Sequence, residues 1–195
     1  MPADLTEQSL EKPQGETLRS RAKRLAVTTE AGKLIDEILE KHHTFLEANL
    51  SPTLKSIKKL AETTRDASAD KALAGAEAMA HLQLEIALHL MLEEMCLFPH
   101  ILDMLDADSA FDSKAFAERL CEGPIRQLEE DHSKIKSLLA QVSLVLIDSD
   151  VKIASDIEAW NEARDRFQKL VADIDKHTHL EDERLFPLIR SHIEG

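Results

Sequence analysis

From Thr29 the chain reads "TTEAGKLIDEILEKHHTFLEANL", with apolar residues at Leu34, Ile35, Ile38, Leu39, Phe45, Leu46 and Leu50. Recurrence at three- and four-residue steps marks the buried face of a helix, and Thr29 is a suitable N-cap. Ser51-Pro52 either kinks this helix or restarts it, because proline has no amide to donate and suits a first turn. The same periodicity predicts helices from about Asp70 to Phe98, Pro124 to Ile147 and Val151 to Phe186. The intervening segments "ETTRDASAD", "DADSAFDSK" and "DSDVKIASD" are rich in turn and cap residues. Residues 1–28, with Pro2, Pro13 and Gly15, read as a partly flexible N-terminal tail with room for one short helix. Its basic cluster, Arg19, Arg21, Lys23 and Arg24, reads as a solvated face. Residues 29–195 form the folded domain.

The helical pattern is written twice. "HLMLEEMCLFPHI" begins at His89 and "HTHLEDERLFPLI" at His177; they share a His, a Leu-Glu pair, Leu-Phe-Pro and a closing Ile. "LEKHH", ending at His43, matches "LEEDH", ending at His132. The repeating unit is therefore a helical hairpin, with a solitary His on its first helix and H-x-x-x-E on its second. Two such hairpins predict an all-α, up-down-up-down four-helix bundle with pseudo-twofold symmetry. If His43, His89, His132 and His177 share one level, the turns belong near Asp66, near Phe111–Asp112 and between Ala154 and Ser155. All three positions lie in turn-rich sequence.

Composition agrees with a helical protein: 4% aromatic residues, no Tyr, five Gly and six Pro. A formal charge of −13 sets the chain against nucleic acid as a partner. No apolar run reaches the length of a membrane span, and no apolar signal core follows Met1, which together read as a cytoplasmic protein. Cys96 and Cys121 lack CxxC spacing and read as reduced, buried thiols.

The chemistry lies in the repeat. A His and a Glu four residues apart occupy one helix face, and facing a bundle core they are costly unless satisfied. Four imidazoles and two carboxylates at one level make a nitrogen–oxygen donor set without sulfur, suited to Fe, Mn or Zn. With two His for each metal and both Glu shared, the set suits a bridged dinuclear centre that keeps positions open for a bridging oxygen and a small ligand.

The remaining histidines fit less well. His42 aligns with Asp131 and reads as exposed or as a supporting neighbour. His81 aligns with Lys169 and lies about 12 Å along the helix from His89, so it reads as a surface residue. His100, His179 and His192 lack ligand spacing. Glu85 aligns with Asp173, each one turn from a candidate ligand; each reads equally as a hydrogen-bond acceptor near the site or as a solvated acid. Leu97, Phe98, Leu185 and Phe186 read as core at the bundle end, Pro99 and Pro187 as helix kinks or ends, and Trp160 as core packing.

"KHHTFL", "HLMLEEMCLFP", "EDHSKI" and "HTHLEDERLFP" also carry a family resemblance. Over roughly residues 30–190 the chain resembles the hemerythrin-like, HHE cation-binding proteins, and among them the di-iron repair-of-iron-centres group. The resemblance implies iron ligation by His43, His89, Glu93, His132, His177 and Glu181. It implies two Fe ions bridged by oxo or hydroxo and by carboxylates. Oxygen-carrying hemerythrins have a further His on the third helix; here that position is Lys136, which favours a reactive or sensing centre over reversible carriage. The implied function is a response to oxygen, nitric oxide or peroxide, extending to iron–sulfur cluster repair, with a small diatomic or peroxide ligand and a protein partner that receives iron or electrons. The alternative is an O₂ or redox sensor, or an iron-binding module without turnover.

Overall fold

Thr29 caps the first long helix as the sequence expects: its hydroxyl accepts the Gly32 amide hydrogen at 3.1 Å. Gly32 is needed there, since a Cβ would lie 2.6 Å from the Leu25 backbone and from the Thr29 hydroxyl. A computed structural model describes residues 16–65, 69–106, 113–147 and 157–194. Among them the chain forms a short helix, α1 (Leu18–Leu25), and four long ones: α2 (30–63), α3 (69–105), α4 (113–146) and α5 (157–194). The long helices pack in a square, α2 against α3 and α5, and α4 against α3 and α5. This is the predicted all-α, four-helix bundle. The expected turn positions lie outside the described residues. No described helix is long and apolar enough to cross a membrane.

The boundaries need correction at the prolines. Of the two expectations for Pro52 the restart is excluded, because α2 continues through it to Thr63. The third long helix begins at Ser113, not at Pro124. Helices α3 and α5 also run beyond their Leu-Phe-Pro segments, to Leu105 and Glu194. The physical reason is a π-helical turn beside three of these prolines: Glu93–Leu97 before Pro99, Cys121–Ile125 around Pro124, and Glu181–Leu185 before Pro187. A wide turn shifts the hydrogen-bond ladder by one residue, so the missing proline amide falls where the regular ladder is already interrupted. A fourth wide turn, Ile38–His43, ends on a candidate ligand.

Two apolar clusters fill the bundle. One contains Leu46, Leu50, Met79, Leu82, Ile135, Val142, Phe167 and Leu170. The other contains Ile35, Leu39, Leu97, Phe98, Ile101, Leu128, Leu185, Phe186 and Ile189, and also Ala22 and Leu25 of α1. Truncating a fully buried Phe such as Phe98 or Phe186 to Ala costs about 3–5 kcal/mol. Trp160 packs against the first cluster, as expected of a core residue. The basic cluster near the N-terminus is not simply a solvated face. Arg21 pairs with Asp103 and Asp106 at 2.8 and 2.9 Å, Arg24 pairs with Asp106, and together they hold α1 against the end of α3.

Candidate metal centre

A layer of polar side chains separates the two clusters. His43 on α2, His89 and Glu93 on α3, His132 on α4, and His177 and Glu181 on α5 are all at most 2% exposed. The structure brings all six sequence-predicted residues together. One donor atom from each of His89, Glu93, His177 and Glu181 falls within 4.8 Å of the others. The other two imidazoles close the ring, with His43 Nε2 3.3 Å from Glu93 and His132 Nε2 3.1 Å from Glu181.

Every imidazole presents Nε2 to the centre. His177 Nε2 lies 3.5 Å from both Glu93 and Glu181, and His89 Nε2 lies 3.6 and 3.7 Å from the same pair. The rings fall into two closer couples, His43 with His177 at 5.2 Å and His89 with His132 at 4.9 Å. Each couple joins one hairpin to the other, and the two carboxylates lie between them.

The outer nitrogens show how this is held. His43 Nδ1–H donates to Glu94 at 2.6 Å, and His132 Nδ1–H donates to Asp182 at 2.9 Å. Each acceptor directly follows a Glu of the layer, and the two occupy matching positions in the repeat. Such a partner orients the ring and, in the neutral imidazole, fixes the tautomer that places the lone pair on Nε2. Phe98 stacks on His43 at 5.8 Å and Phe186 on His132 at 6.2 Å, bracing the same two rings. Sequence reasoning assigned the Phe residues to packing alone and did not single out Glu94 or Asp182. The available signal was an acid after the Glu in both copies, "EE" and "ED".

The electrostatics of the layer favour a cation. Burial opposes charge on His132, but Asp182 and Glu181 outweigh it and raise its pKa to about 9. Burial likewise opposes charge on His43 and His177, yet the surrounding carboxylates hold both above the ordinary imidazole range. Burial would raise the Glu181 pKa, but His177 and the groups hydrogen-bonded to it hold it well below normal. Even so, His43 Nε2, both His89 nitrogens, both Glu93 oxygens, His177 Nε2 and Glu181 Oε1 are buried without a hydrogen-bond partner. Orphaned groups of this kind are costly, and a cation at their meeting point would satisfy the inward-facing ones. The residues fit a metal.

The family model described as the hemerythrin HHE cation binding domain matches residues 35–189. The chain belongs to the hemerythrin HHE cation-binding family. No curated protein matches it. The chain is thus a hemerythrin-like iron-binding module, and its polar layer contains a cluster of His89, Glu93, His177 and Glu181 consistent with an iron site.

The other sequence candidates fall outside this centre. His42 is buried, stacks on His177 at 6.0 Å and pairs through Nδ1 with Asp173 at 3.0 Å. Asp173 thus supports His42 and not a residue of the layer. Glu85 is half-buried and lies close enough to Lys134 to help raise its pKa, after the larger effect of the hydrogen bond from Lys134 to Asp131. His81, His179 and His192 are exposed, and His100 donates to the Cys96 carbonyl at 2.5 Å. Lys136 is exposed while Ile135 turns inward, so no donor from position 136 reaches the layer. Cys96 and Cys121 are free and half-buried, and burial raises the Cys121 thiol above its usual range.

Proposed function

We propose that this hemerythrin-like protein holds two irons and acts in the response to oxygen, nitric oxide or peroxide. The observation that carries this reading is the division of four imidazoles into two cross-hairpin couples around two shared carboxylates. His43 with His177 would serve one iron and His89 with His132 the other, with Glu93 and Glu181 shared. Iron bound in this way supplies redox and Lewis-acid chemistry.

The chain's own residues then set access and protonation. Glu94 and Asp182 hold the protons of His43 and His132 on Nδ1 and keep Nε2 directed inward. Phe98 and Phe186 shield these rings on the side of the Leu-Phe-Pro cluster. Such apolar walls favour small uncharged ligands over ions, which would have to shed their hydration. The exposed Lys136 supplies no further donor, so the six-residue set leaves room for an exogenous molecule. This favours reaction or sensing over reversible carriage. Release of iron or electrons to a partner protein, and service in cluster repair, belong to the same proposal, as does a cytoplasmic location.

Metal analysis and visible spectroscopy of protein from iron-replete cells test the reading. About two irons per chain and a diferric charge-transfer band are expected. After anaerobic reduction the protein should take up nitric oxide and be reoxidised by O₂ without recovery when the gas is removed. Full return to the reduced spectrum over repeated cycles would establish an oxygen carrier and overturn the proposal.

A further inference from the structure

The outer face of α3 is apolar where bundle geometry does not require it. Leu84, Leu88, Met91 and Met95 follow one another at steps of four, three and four residues and are 47–77% exposed. That spacing forms a continuous stripe on a helix surface. The repeat supplies an internal control. The matching positions on α5 are Ala172, Lys176, His179 and Glu183, also exposed and almost wholly polar. The same helix face at the same level is therefore solvated in one hairpin and apolar in the other.

The stripe borders a groove between α2 and α3 of about 430 Å³, lined in part by Leu50, Leu90, Met91 and Met95. Its charged lining is Glu47 and Glu94, with no Lys or Arg among the described residues. Glu85 flanks the stripe on the α4 side, outside the groove, with Lys134 near it. A second copy would bring acidic rim against acidic rim, each on a chain of charge −13. Residues 1–15 carry Asp4, Glu7 and Glu11 against Lys12, so they too bear the wrong sign.

We propose that this face docks a basic amphipathic helix of another protein. Apolar anchors would lie along Leu84, Leu88, Met91 and Met95, and Lys or Arg would face Glu47, Glu85 and Glu94. Methionines adapt to irregular partners, and helix-in-groove binding uses anchors at this spacing. The stripe lies on the helix whose inner face carries His89 and Glu93, so the partner would sit against the wall of the metal layer. The inference does not rest on the reading of the centre itself.

The test uses the full iron-loaded chain and a labelled helical peptide of Leu and Lys, its Leu residues at matching steps, followed by fluorescence anisotropy. The peptide should bind, and added salt should weaken it. Leu88→Gln with Met91→Gln should weaken binding by about tenfold or more, having removed two buried apolar contacts. The polar-face control, Lys176→Gln with His179→Gln, should stay within about twofold, the ordinary effect of a surface change. Glu47→Lys with Glu85→Lys leaves the stripe intact and should shift preference to a Leu/Glu peptide.

Equal binding of the Leu/Glu peptide by the unaltered chain, or indifference to the Leu88/Met91 change, overturns the proposal. So does a dimer that the Leu88/Met91 change dissociates, which would identify a second copy as the occupant. A gain in peptide affinity on removing residues 1–15 would assign the stripe to the chain's own tail and overturn it as well.

Discussion

The hairpin of α2 and α3 and the hairpin of α4 and α5 share their inner faces but not their outer ones. Inside, His43, Glu94 and Phe98 in one correspond to His132, Asp182 and Phe186 in the other, with the same hydrogen bonds and ring stacking. At the edge of the layer the correspondence breaks. His42 of α2 pairs with Asp173 of α5, whereas their counterparts, Asp131 of α4 and Glu85 of α3, are both acids, with Lys134 between them. On the solvent face the apolar stripe of α3 corresponds to charged and polar residues on α5. Symmetry is retained where six donors must meet and lost where nothing in the fold constrains the residue. Asymmetry therefore marks what each hairpin does separately.

The largest effect should come from the inner pairs. Because each imidazole couple spans both hairpins, each proposed iron position draws one His from either hairpin. His89→Ala and His177→Ala should each lower iron content by more than about tenfold, since even the outer partners of ligands are worth about 10–100-fold in affinity. His81→Ala, His100→Ala and His192→Ala should leave it near wild type. Metal analysis of the purified variants checks this; a His81 variant as iron-poor as the His89 variant would refute the assignment on α3.

Next come Glu94→Gln and Asp182→Asn, which keep shape but remove the charge facing each Nδ1. If the hairpins are equivalent at this depth, each should weaken iron binding by about tenfold and the two should differ little. Competition with a chelator measures both. A loss confined to one variant would show that the symmetry of geometry is not a symmetry of function.

The layer was legible in the sequence because it constrains residue type and spacing in both copies. His89 and Glu93 recur as His177 and Glu181, and helical periodicity places all four inside. Glu94 and Asp182 were harder to see: in an acidic chain an acid beside an acid reads as surface, and only the repeat distinguishes it. The wide turns leave no residue pattern except their prolines. Apolar periodicity predicts a helix start at about Pro124, yet Pro124 sits within Cys121–Ile125, where the ladder has already shifted. The docking of α1 was obscured because its arginines pair with Asp103 and Asp106, more than 80 residues away.

A smaller effect follows from protons held in the same layer. In the metal-free protein the His132 pKa lies near 9, above the ordinary 6.5, and His43 and His177 shift in the same direction. The folded state then holds these protons more tightly than the unfolded chain. Their stabilisation is complete below the unfolded value and declines as pH rises through the folded one. Between about pH 6.5 and 9 the metal-free Tm should fall by on the order of 5 °C, since about 1 kcal/mol moves a chain of this size by about 2–4 °C. If iron takes the Nε2 positions as proposed, loaded protein should show little of this slope. Thermal melts of chelated and loaded protein compare them, and a metal-free Tm that rises across the window would refute this account.

The smallest effect concerns a feature confined to the first hairpin. The wide turn Ile38–His43 ends on His43, whereas on α4 the wide turn lies two helical turns before His132. The Leu39 carbonyl accepts the Thr44 hydroxyl at 3.2 Å and the Arg19 guanidinium of α1 at 2.6 Å. α1 therefore braces the turn that delivers one imidazole, and no described helix does so for the other hairpin. Arg19→Ala removes the bond to the Leu39 carbonyl and two longer, exposed ones to Glu40 and Thr44; it should cost about 1 kcal/mol and lower Tm by about 2–4 °C. Hydrogen exchange should quicken along residues 38–44 and stay unchanged around His132, with iron content retained. Equal acceleration around His43 and His132 would mean that α1 supports the bundle as a whole, and that the hairpins do not differ in how their first imidazole is held.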